Sequence, residues 1–188
     1  MIKNYFKSFN IFTENELNDL IQHFVPKRLT KSDFFVKEGE QCKEIAFVLS
    51  GIFRSYYTTE NGVENTFCFR FPHHLLAPYS AFITGNASME TIEAVSDVNL
   101  LVIPKKKIDE LVNENPKWTK VLKLIAEQEY LELEKRFFQL QKDTATERYI
   151  SLLKDNPNYI QEIPLHYLAS YLGVTQRHLS RIRKERSF

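Results

Sequence analysis

The chain has 188 residues, of which 43% are hydrophobic, 13% aromatic and 26% charged, so it suits two unequal domains and is not intrinsically disordered. Its net charge of +1 conceals a gradient, because residues 1–115 carry 12 basic and 15 acidic side chains whereas residues 163–188 carry 5 and 1, a layout typical of nucleic-acid contact. With no apolar run of about 18 residues and no signal-peptide pattern, we expect a cytoplasmic protein that does not enter the membrane.

Sites for chemistry are not evident in the sequence. Cys42 and Cys68 are too few for an iron–sulfur cluster or a cysteine-only zinc site, and we expect them to be small buried apolar residues. Paired carboxylates, a glycine loop for phosphates and a nucleophile with an orienting base are all missing. We therefore predict no catalytic residue, no metal and no cofactor, and we do not expect an enzyme.

The first predicted element is a helix over residues 13–24. Thr13 and Glu16 have the spacing of a capping box, and Phe12 and Leu17 have the spacing of a hydrophobic staple. From residue 27 to residue 103, short runs of β-branched and aromatic residues alternate with turn signals. About eight strands at this spacing predict an antiparallel jelly roll.

The clearest turn signal in that region is Glu60-Asn61-Gly62, which predicts a tight hairpin between strands at residues 52–57 and 63–71. In the second strand one face is expected to be core. The two faces divide alternate residues into Val63, Asn65, Phe67, Phe69 and Phe71 on one side and Glu64, Thr66, Cys68 and Arg70 on the other.

After Pro104 the pattern becomes helical, with a short helix predicted over residues 106–113. Asn115-Pro116 is a good start for a second helix of about 27 residues ending at Lys142, roughly 40 Å long. This helix has two apolar stripes and so needs two partners, one of which is expected to be the same helix of a second chain. The alternative is a helix buried within one chain, since Gln128 and Lys135 weaken the seam. The residues predicted at the dimer interface are Val121, Leu124, Gln128, Leu131 and Phe138, and the second stripe consists of Leu122, Ile125, Leu133, Phe137 and Leu140.

Residues 164–184, PLHYLASYLGVTQRHLSRIRK, match every sterically restricted position of a helix-turn-helix. Ala169 suits the close helix crossing, Gly173 the turn, and Thr175 the cap of the second helix. The inner face is predicted to consist of Leu168, Leu172, Val174, Leu179 and Ile182. An ordinary helical hairpin with a solvated basic face is the alternative.

The outer face of the second helix carries residue types that contact DNA well. Arginine pairs with guanine and glutamine with adenine, whereas Arg183, Lys184 and Arg186 are expected at phosphates. The predicted DNA-binding residues are Thr175, Gln176, Arg177, His178, Ser180, Arg181, Arg183 and Lys184.

From about Leu29 to Lys184 the chain resembles the Crp/Fnr family of bacterial transcription regulators. The resemblance is carried by Phe47-Val48-Leu49-Ser50-Gly51 with Arg54, by Ala145-Thr146-Glu147-Arg148-Tyr149, and above all by residues 163–184. It implies a cyclic-nucleotide-binding-type β-roll, a long dimer helix, and a helix-turn-helix that binds a palindromic operator.

The sequence departs from this family where cyclic nucleotides bind. The Gly-Glu pair that grips the ribose aligns with Ala77-Pro78, the phosphate-binding arginine falls near Ser88, and Leu133-Glu134 replaces the polar pair that meets adenine. A buried phosphate without its cation is unfavourable, so we expect cyclic AMP not to bind tightly. The alternative is that this alignment is shifted and the regulator is nucleotide-gated.

The pocket is therefore expected to be vestigial or to take an unidentified small-molecule effector. The candidate ligand residues are His73, His74, Tyr79, Ser80 and Ser88, although the default explanation of the two histidines is that they are loop residues without function. The printed sequence ends at Phe188 without the β-wing that often follows the second helix in the family, which predicts fewer phosphate contacts.

These features predict an α+β chain in three parts: a double-stranded β-helix (jelly-roll) sensor domain at residues 1–115, a long dimerisation helix at 116–142 and an all-α helix-turn-helix domain at 143–188. The expected function is transcription regulation by a homodimer on double-stranded DNA, with RNA polymerase as a candidate partner. The alternative is a small-molecule or cyclic-nucleotide-binding module that signals through a protein partner.

Overall fold

The computed structural model describes residues 1–186, apart from the side chains of Tyr159 and Arg186. These residues form two compact units, one made of residues 1–57 and 68–126 and the other of residues 58–67 and the chain from Glu127 onward. The predicted domain boundaries at residues 115 and 142 stay predictions. No helix in the described part of the chain is long and apolar enough to span a membrane.

The chain begins with two helices, α1 (Ile2–Lys7) and α2 (Glu14–Gln22). The helix predicted over residues 13–24 is confirmed as α2, and its capping box forms: the Glu16 N–H donates to Thr13 Oγ1 at 3.3 Å, and the Thr13 N–H donates to Glu16 Oε2 at 2.7 Å. Helix α1 was not predicted from the sequence. Its Ile2 and Phe6 are buried in the core of the first unit, so tertiary burial rather than a capping signal explains the helix.

Eight strands in the described residues form two antiparallel four-stranded sheets, which confirms the predicted jelly roll. One sheet has the order β1-β8-β3-β6 and the other the order β2-β7-β4-β5. In the first sheet Phe47 lies opposite Leu101 and Val48 opposite Leu100. The strands are β1 (Val25–Leu29), β2 (Phe34–Val36), β3 (Glu44–Ser50), β4 (Phe53–Thr58), β5 (Glu64–Arg70), β6 (Leu75–Leu76), β7 (Thr91–Ala94) and β8 (Val98–Pro104).

Two apolar clusters fill the first unit. One lies within the β-roll and includes Val48, Phe53 and Ile92. The other joins α1 and α2 to β3 and to the start of the long helix, through aromatic residues such as Phe6 and Trp118, whose ring centroids are 6.0 Å apart. Cys42 is buried in this second cluster, as expected, and burial raises the pKa of its thiol, whereas Cys68 is only half-buried.

The predicted hairpin forms, with Gly62 at φ +77° and its N–H donating to the carbonyl oxygen of Thr59 at 2.8 Å. The expectation that one face of its second strand is core is only partly right. Phe69 is buried, but Val63 and Phe67 on the same face are exposed, and Thr66 on the opposite face is only 3% exposed. The reason is that residues 58–67 belong to the second unit. The outer part of the hairpin therefore packs in a different environment from the rest of β5.

The remaining described elements are helical. Helices α3 (Tyr79–Thr84) and α4 (Lys105–Glu114) lie in the first unit. The predicted long helix is confirmed as α5 (Lys117–Lys142), and the Lys117 N–H donates to Asn115 Oδ1 at 3.0 Å, as expected of an Asn cap. The chain continues through α6 (Ala145–Asp155), α7 (Pro157–Glu162), α8 (Leu165–Tyr171) and α9 (Gln176–Arg186).

Candidate nucleic-acid interface

Helices α8 and α9 are joined by a turn that is held by backbone hydrogen bonds to the end of α8. The Val174 N–H donates to the carbonyl oxygen of Ala169, and the Gly173 N–H to that of Ser170, both at 3.0 Å. This is the double hydrogen bond of a Schellman motif, which requires a left-handed residue after the helix. Gly173 supplies it with φ +69°, so the predicted role of this glycine is confirmed.

The start of α9 is capped as predicted. Thr175 Oγ1 accepts a hydrogen bond from the His178 N–H at 3.2 Å, and the Thr175 carbonyl oxygen accepts from the Leu179 N–H at 3.0 Å. The cap fixes the residue at which α9 begins, and therefore which of its side chains face away from α8.

The inner face of the motif is also confirmed. Leu168 and Leu179 are fully buried, Val174 is half-buried, and the remaining inner residues Ala169, Leu172 and Ile182 are buried. The apolar residues of α8, the turn and α9 therefore face inward and pack the two helices together.

The other side of α9 is open and basic. Ser180 and Arg183 are half-buried, whereas the other predicted contact residues on the helix, Gln176, Arg177, His178, Arg181 and Lys184, are exposed. The side chain of Arg186, also expected at a phosphate, lies outside the described part of the chain. The surface of α9 thus offers arginine, lysine and amide donors together, a combination suited to phosphates and base edges.

Two arginines hold the turn from outside the motif, and the sequence analysis did not single out this role. An Nη2 of Arg136 on α5 donates to the Tyr171 carbonyl oxygen at 2.7 Å. The Nε of Arg148 on α6 donates to the next carbonyl oxygen, that of Leu172, at 3.1 Å, while its Nη1 donates to Asp143 O at 2.6 Å. Cations at the carboxyl end of a helix satisfy its unpaired carbonyls and oppose its dipole. The position of α8 is therefore set by α5 and α6.

The long helix changes character along its length. Val121, predicted at the dimer interface, is instead fully buried in the core of the first unit. Ile125 of the second stripe is buried in the same core, because this end of α5 packs on α1 and α2. Leu124 and Leu122 are half-buried. Farther along, Gln128 is exposed and the apolar residues of both stripes are exposed with it: Leu131 (62%), Leu133, Phe137, Phe138 and Leu140.

The candidate ligand residues lie in separate local environments of the first unit. His73 and His74 are exposed in the connection between β5 and β6, where they exchange backbone hydrogen bonds with Val48 and where His73 has φ +74°. Tyr79 is half-buried and Ser80 exposed in the first turn of α3.

Ser88 is buried, and its hydroxyl is hydrogen-bonded to nearby backbone groups. Its Oγ donates to the Glu90 carbonyl oxygen at 2.7 Å and accepts from the Glu90 N–H at 3.2 Å. The sequence analysis also missed a buried cation: Arg54 on β4 is 1% exposed, with its guanidinium 4.2 Å from the ring centroid of Tyr56. This arginine lies opposite Glu93 of β7.

Comparison with known proteins shows which domain family and which solved structures this chain is similar to. Residues 26–115 match the cyclic nucleotide-binding domain family. The transcriptional activator protein Anr of Pseudomonas protegens is 23% identical over 152 residues, which are 78% of this chain and 58% of Anr. A solved Eubacterium rectale protein described as a Crp/Fnr-family transcriptional regulator has 18% identity and a TM-score of 0.76, covering 97% of this chain and 87% of its own. The chain is thus similar in sequence to a transcriptional activator and in fold to a Crp/Fnr-family regulator.

Two further solved structures share the fold. FixK2 of Bradyrhizobium japonicum superposes with a TM-score of 0.78 at 18% identity, covering 86% of this chain and 83% of FixK2. The c-di-GMP-responsive global regulator CLP of Xanthomonas campestris gives 0.73 at 13% identity, covering 92% and 91%. The matched cyclic nucleotide-binding domain contains all eight described strands except the first residue of β1, and all five candidate ligand residues.

Proposed function

We propose that this protein is a sequence-specific DNA-binding transcription regulator. The observation that carries the proposal is the helix-turn-helix whose inner face is buried and whose outer face on α9 is exposed and basic. Gln176, Arg177 and Arg181 lie on that free face and would contact base edges in the major groove. The half-buried Arg183 and the exposed Lys184 are better suited to phosphates.

We further propose that it acts as a homodimer on a palindromic operator. Leu131 and Phe138 of the predicted seam expose apolar surface two turns apart on α5, and a second copy of the same helix would bury them. A two-fold axis along α5 would present two α9 helices to successive major grooves, about 34 Å apart. The protein would act in the cytoplasm on double-stranded DNA, with RNA polymerase as a candidate partner.

The β-roll is proposed to have lost cyclic-nucleotide binding. Ala77-Pro78 stands where nucleotide-binding members carry Gly-Glu, and Ser88, at the position of the phosphate-binding arginine, is buried with its hydroxyl bonded to Glu90. A cyclic phosphate there would lack its cation. Any effector would then be another small molecule, acting by favouring one arrangement of the dimer.

Selection of bound fragments from random DNA tests the proposal most directly. The expected result is an enriched palindrome whose half-site spacing matches one helical turn or a multiple of it. Failure to enrich any sequence, with no gel shift at low salt, would contradict DNA binding and favour the alternative, a ligand-binding module that signals through a protein partner. Calorimetry with cyclic AMP at high micromolar concentration separately tests the loss of nucleotide binding, since measurable heat of binding would contradict it.

A further inference from the structure

Strand β5 is the outermost strand of its sheet, and a serine from the helix-turn-helix covers part of its free edge. Ser170 Oγ accepts a hydrogen bond from the Thr66 N–H at 2.8 Å and donates one to the Glu64 carbonyl oxygen at 3.0 Å. Alternate residues of an extended strand present their backbone groups to the same edge. One hydroxyl on α8 therefore replaces two of the hydrogen bonds that a neighbouring strand would make.

A guanidinium completes the same contact. The Arg136 Nη2 that bonds the Tyr171 carbonyl oxygen at 2.7 Å also lies 3.3 Å from the Thr66 carbonyl oxygen. Its Cζ lies 3.8 Å from the centroid of the Tyr171 ring. Residues from the hairpin, from α5 and from the last turn of α8 thus meet at one point, all within the second unit. We call this group, Glu64, Thr66, Arg136, Ser170 and Tyr171, the hairpin latch.

We propose that the hairpin latch positions the DNA-contacting helix. This rests on the proposed DNA-binding function. The latch fixes the end of α8, and the Schellman turn at Gly173 transmits that position to α9. With the latch formed, the outer face of α9 is exposed, so the latch presents the face and does not mask it.

Opening the latch would leave the motif folded but less firmly oriented on α5, with Arg148 still bonded to the Leu172 carbonyl oxygen. The core of α8 and α9 depends on apolar residues such as Leu168 and Leu179, which the latch does not include. To bind two half-sites at a fixed spacing, the protein would then have to fix the orientation of the helix-turn-helix during binding. In the latched protein this orientation is already fixed, so binding does not bear that cost.

The experiment compares Ser170→Ala with the wild-type chain, using Ser170→Thr to restore the hydroxyl and Ser151→Ala as a matched control. Ser151 also makes hydroxyl hydrogen bonds in the second unit, to Gln139 and Asp155, but lies outside the latch. Hydrogen exchange at the Thr66 amide is measured without DNA. Affinity is measured for a single half-site and for full selected sites with altered half-site spacing.

Ser170→Ala is expected to speed exchange at Thr66 and to weaken binding to the full site, each by about three- to tenfold, the effect of one or two hydrogen bonds. The affinity of Ser170→Ala for a single half-site is expected to equal that of the wild-type chain, whereas its discrimination between half-site spacings falls. Ser170→Thr is expected to restore slow exchange at Thr66 and tight binding to the full site. Ser151→Ala is expected to leave exchange and binding unchanged. Arg136→Lys, which keeps the charge but not the planar fork, is expected to resemble Ser170→Ala.

Three outcomes would overturn the proposal. Equal losses of affinity for the half-site and the full site in Ser170→Ala would indicate general destabilisation. Unchanged hydrogen exchange at the Thr66 amide would show that Ser170 does not hold the strand. Tighter DNA binding by Ser170→Ala would show that the latch restrains α9. A wild-type chain that selects no DNA would refute the proposed function together with the positioning role, and Thr66 exchange would still show whether the latch itself forms.

Discussion

Replacing Gly51 with alanine should destabilise the first unit by more than backbone strain alone. Gly51 follows β3 and has φ +86°, a conformation that disfavours any side chain. A Cβ at this position would lie 2.4 Å from the carbonyl oxygen of Asp97 and 2.5 Å from Cγ1 of Val98. Val98 is fully buried, so the sheet has little room to move away.

The magnitude follows from two separable contributions. A non-glycine residue in the left-handed region costs about 1–2 kcal/mol, and an extra methyl group forced into a packed site costs about 1–3 kcal/mol more. We therefore expect Gly51→Ala to lower the free energy of unfolding by about 2–5 kcal/mol. Gly39 is a matched control because its φ is also +86° while nothing lies within 4 Å of its Cβ, so Gly39→Ala should lose only the strain of about 1–2 kcal/mol.

Urea denaturation followed by tryptophan fluorescence measures this difference. Trp118 is the single tryptophan of the chain and is buried in the core of the first unit, so its emission reports on that unit. The free energy is extrapolated to water for each variant. Equal losses for the two alanine variants would refute the steric argument, and no loss for either would refute the strain argument as well.

Arg181, Phe138 and Glu16 carry the remaining predictions. Arg181→Ala should relax base preference at one position of each half-site and cost ~1–3 kcal/mol in binding to a randomised operator library, and unchanged selectivity would contradict its role. Phe138→Glu should place a charge in the proposed dimer seam and yield a monomer in sedimentation; an unchanged dimer mass would exclude this residue from the seam. A hydrogen bond from Lys117, followed by bonds from Thr13, lowers the pKa of Glu16 from 4.5 to about 2. The carboxylate therefore contributes stability above pH 4.5 that is lost as the pH falls towards 2, and Glu16→Gln should flatten acid unfolding in that window; identical acid curves would refute it.

The features that the sequence predicts well are those governed by local backbone rules. Thr13 with Glu16 identifies a helix start because the capping box needs only residues three apart. Gly62 locates the hairpin and Gly173 locates the turn between α8 and α9, because residues other than glycine seldom adopt the positive φ values found there. The inner face of that motif follows from helical periodicity in the same way.

The features that the sequence does not predict depend on distant contacts. Thr66 and Ser170 are 104 residues apart, so nothing in the strand pattern indicates that a threonine on the polar face is buried. The roles of Arg136 and Arg148 at the turn arise in the same way, since carbonyl oxygens of α8 impose no requirement on residue type elsewhere. Val121 fits the apolar stripe of α5 but is buried within its own chain, because periodicity identifies an apolar face without identifying what covers it.

The uncovered second half of α5 has a consequence for the abundance of the protein in a cell. A newly made chain that has not met a mate displays Leu131, Phe137 and Phe138 to solvent, and chaperones and proteases act on such surfaces. Under the proposed pairing, encounter between two chains competes with clearance of each one. The amount of dimer would then rise more steeply than in proportion to the rate of synthesis, and under the proposed regulatory function a controlled gene would show a threshold response.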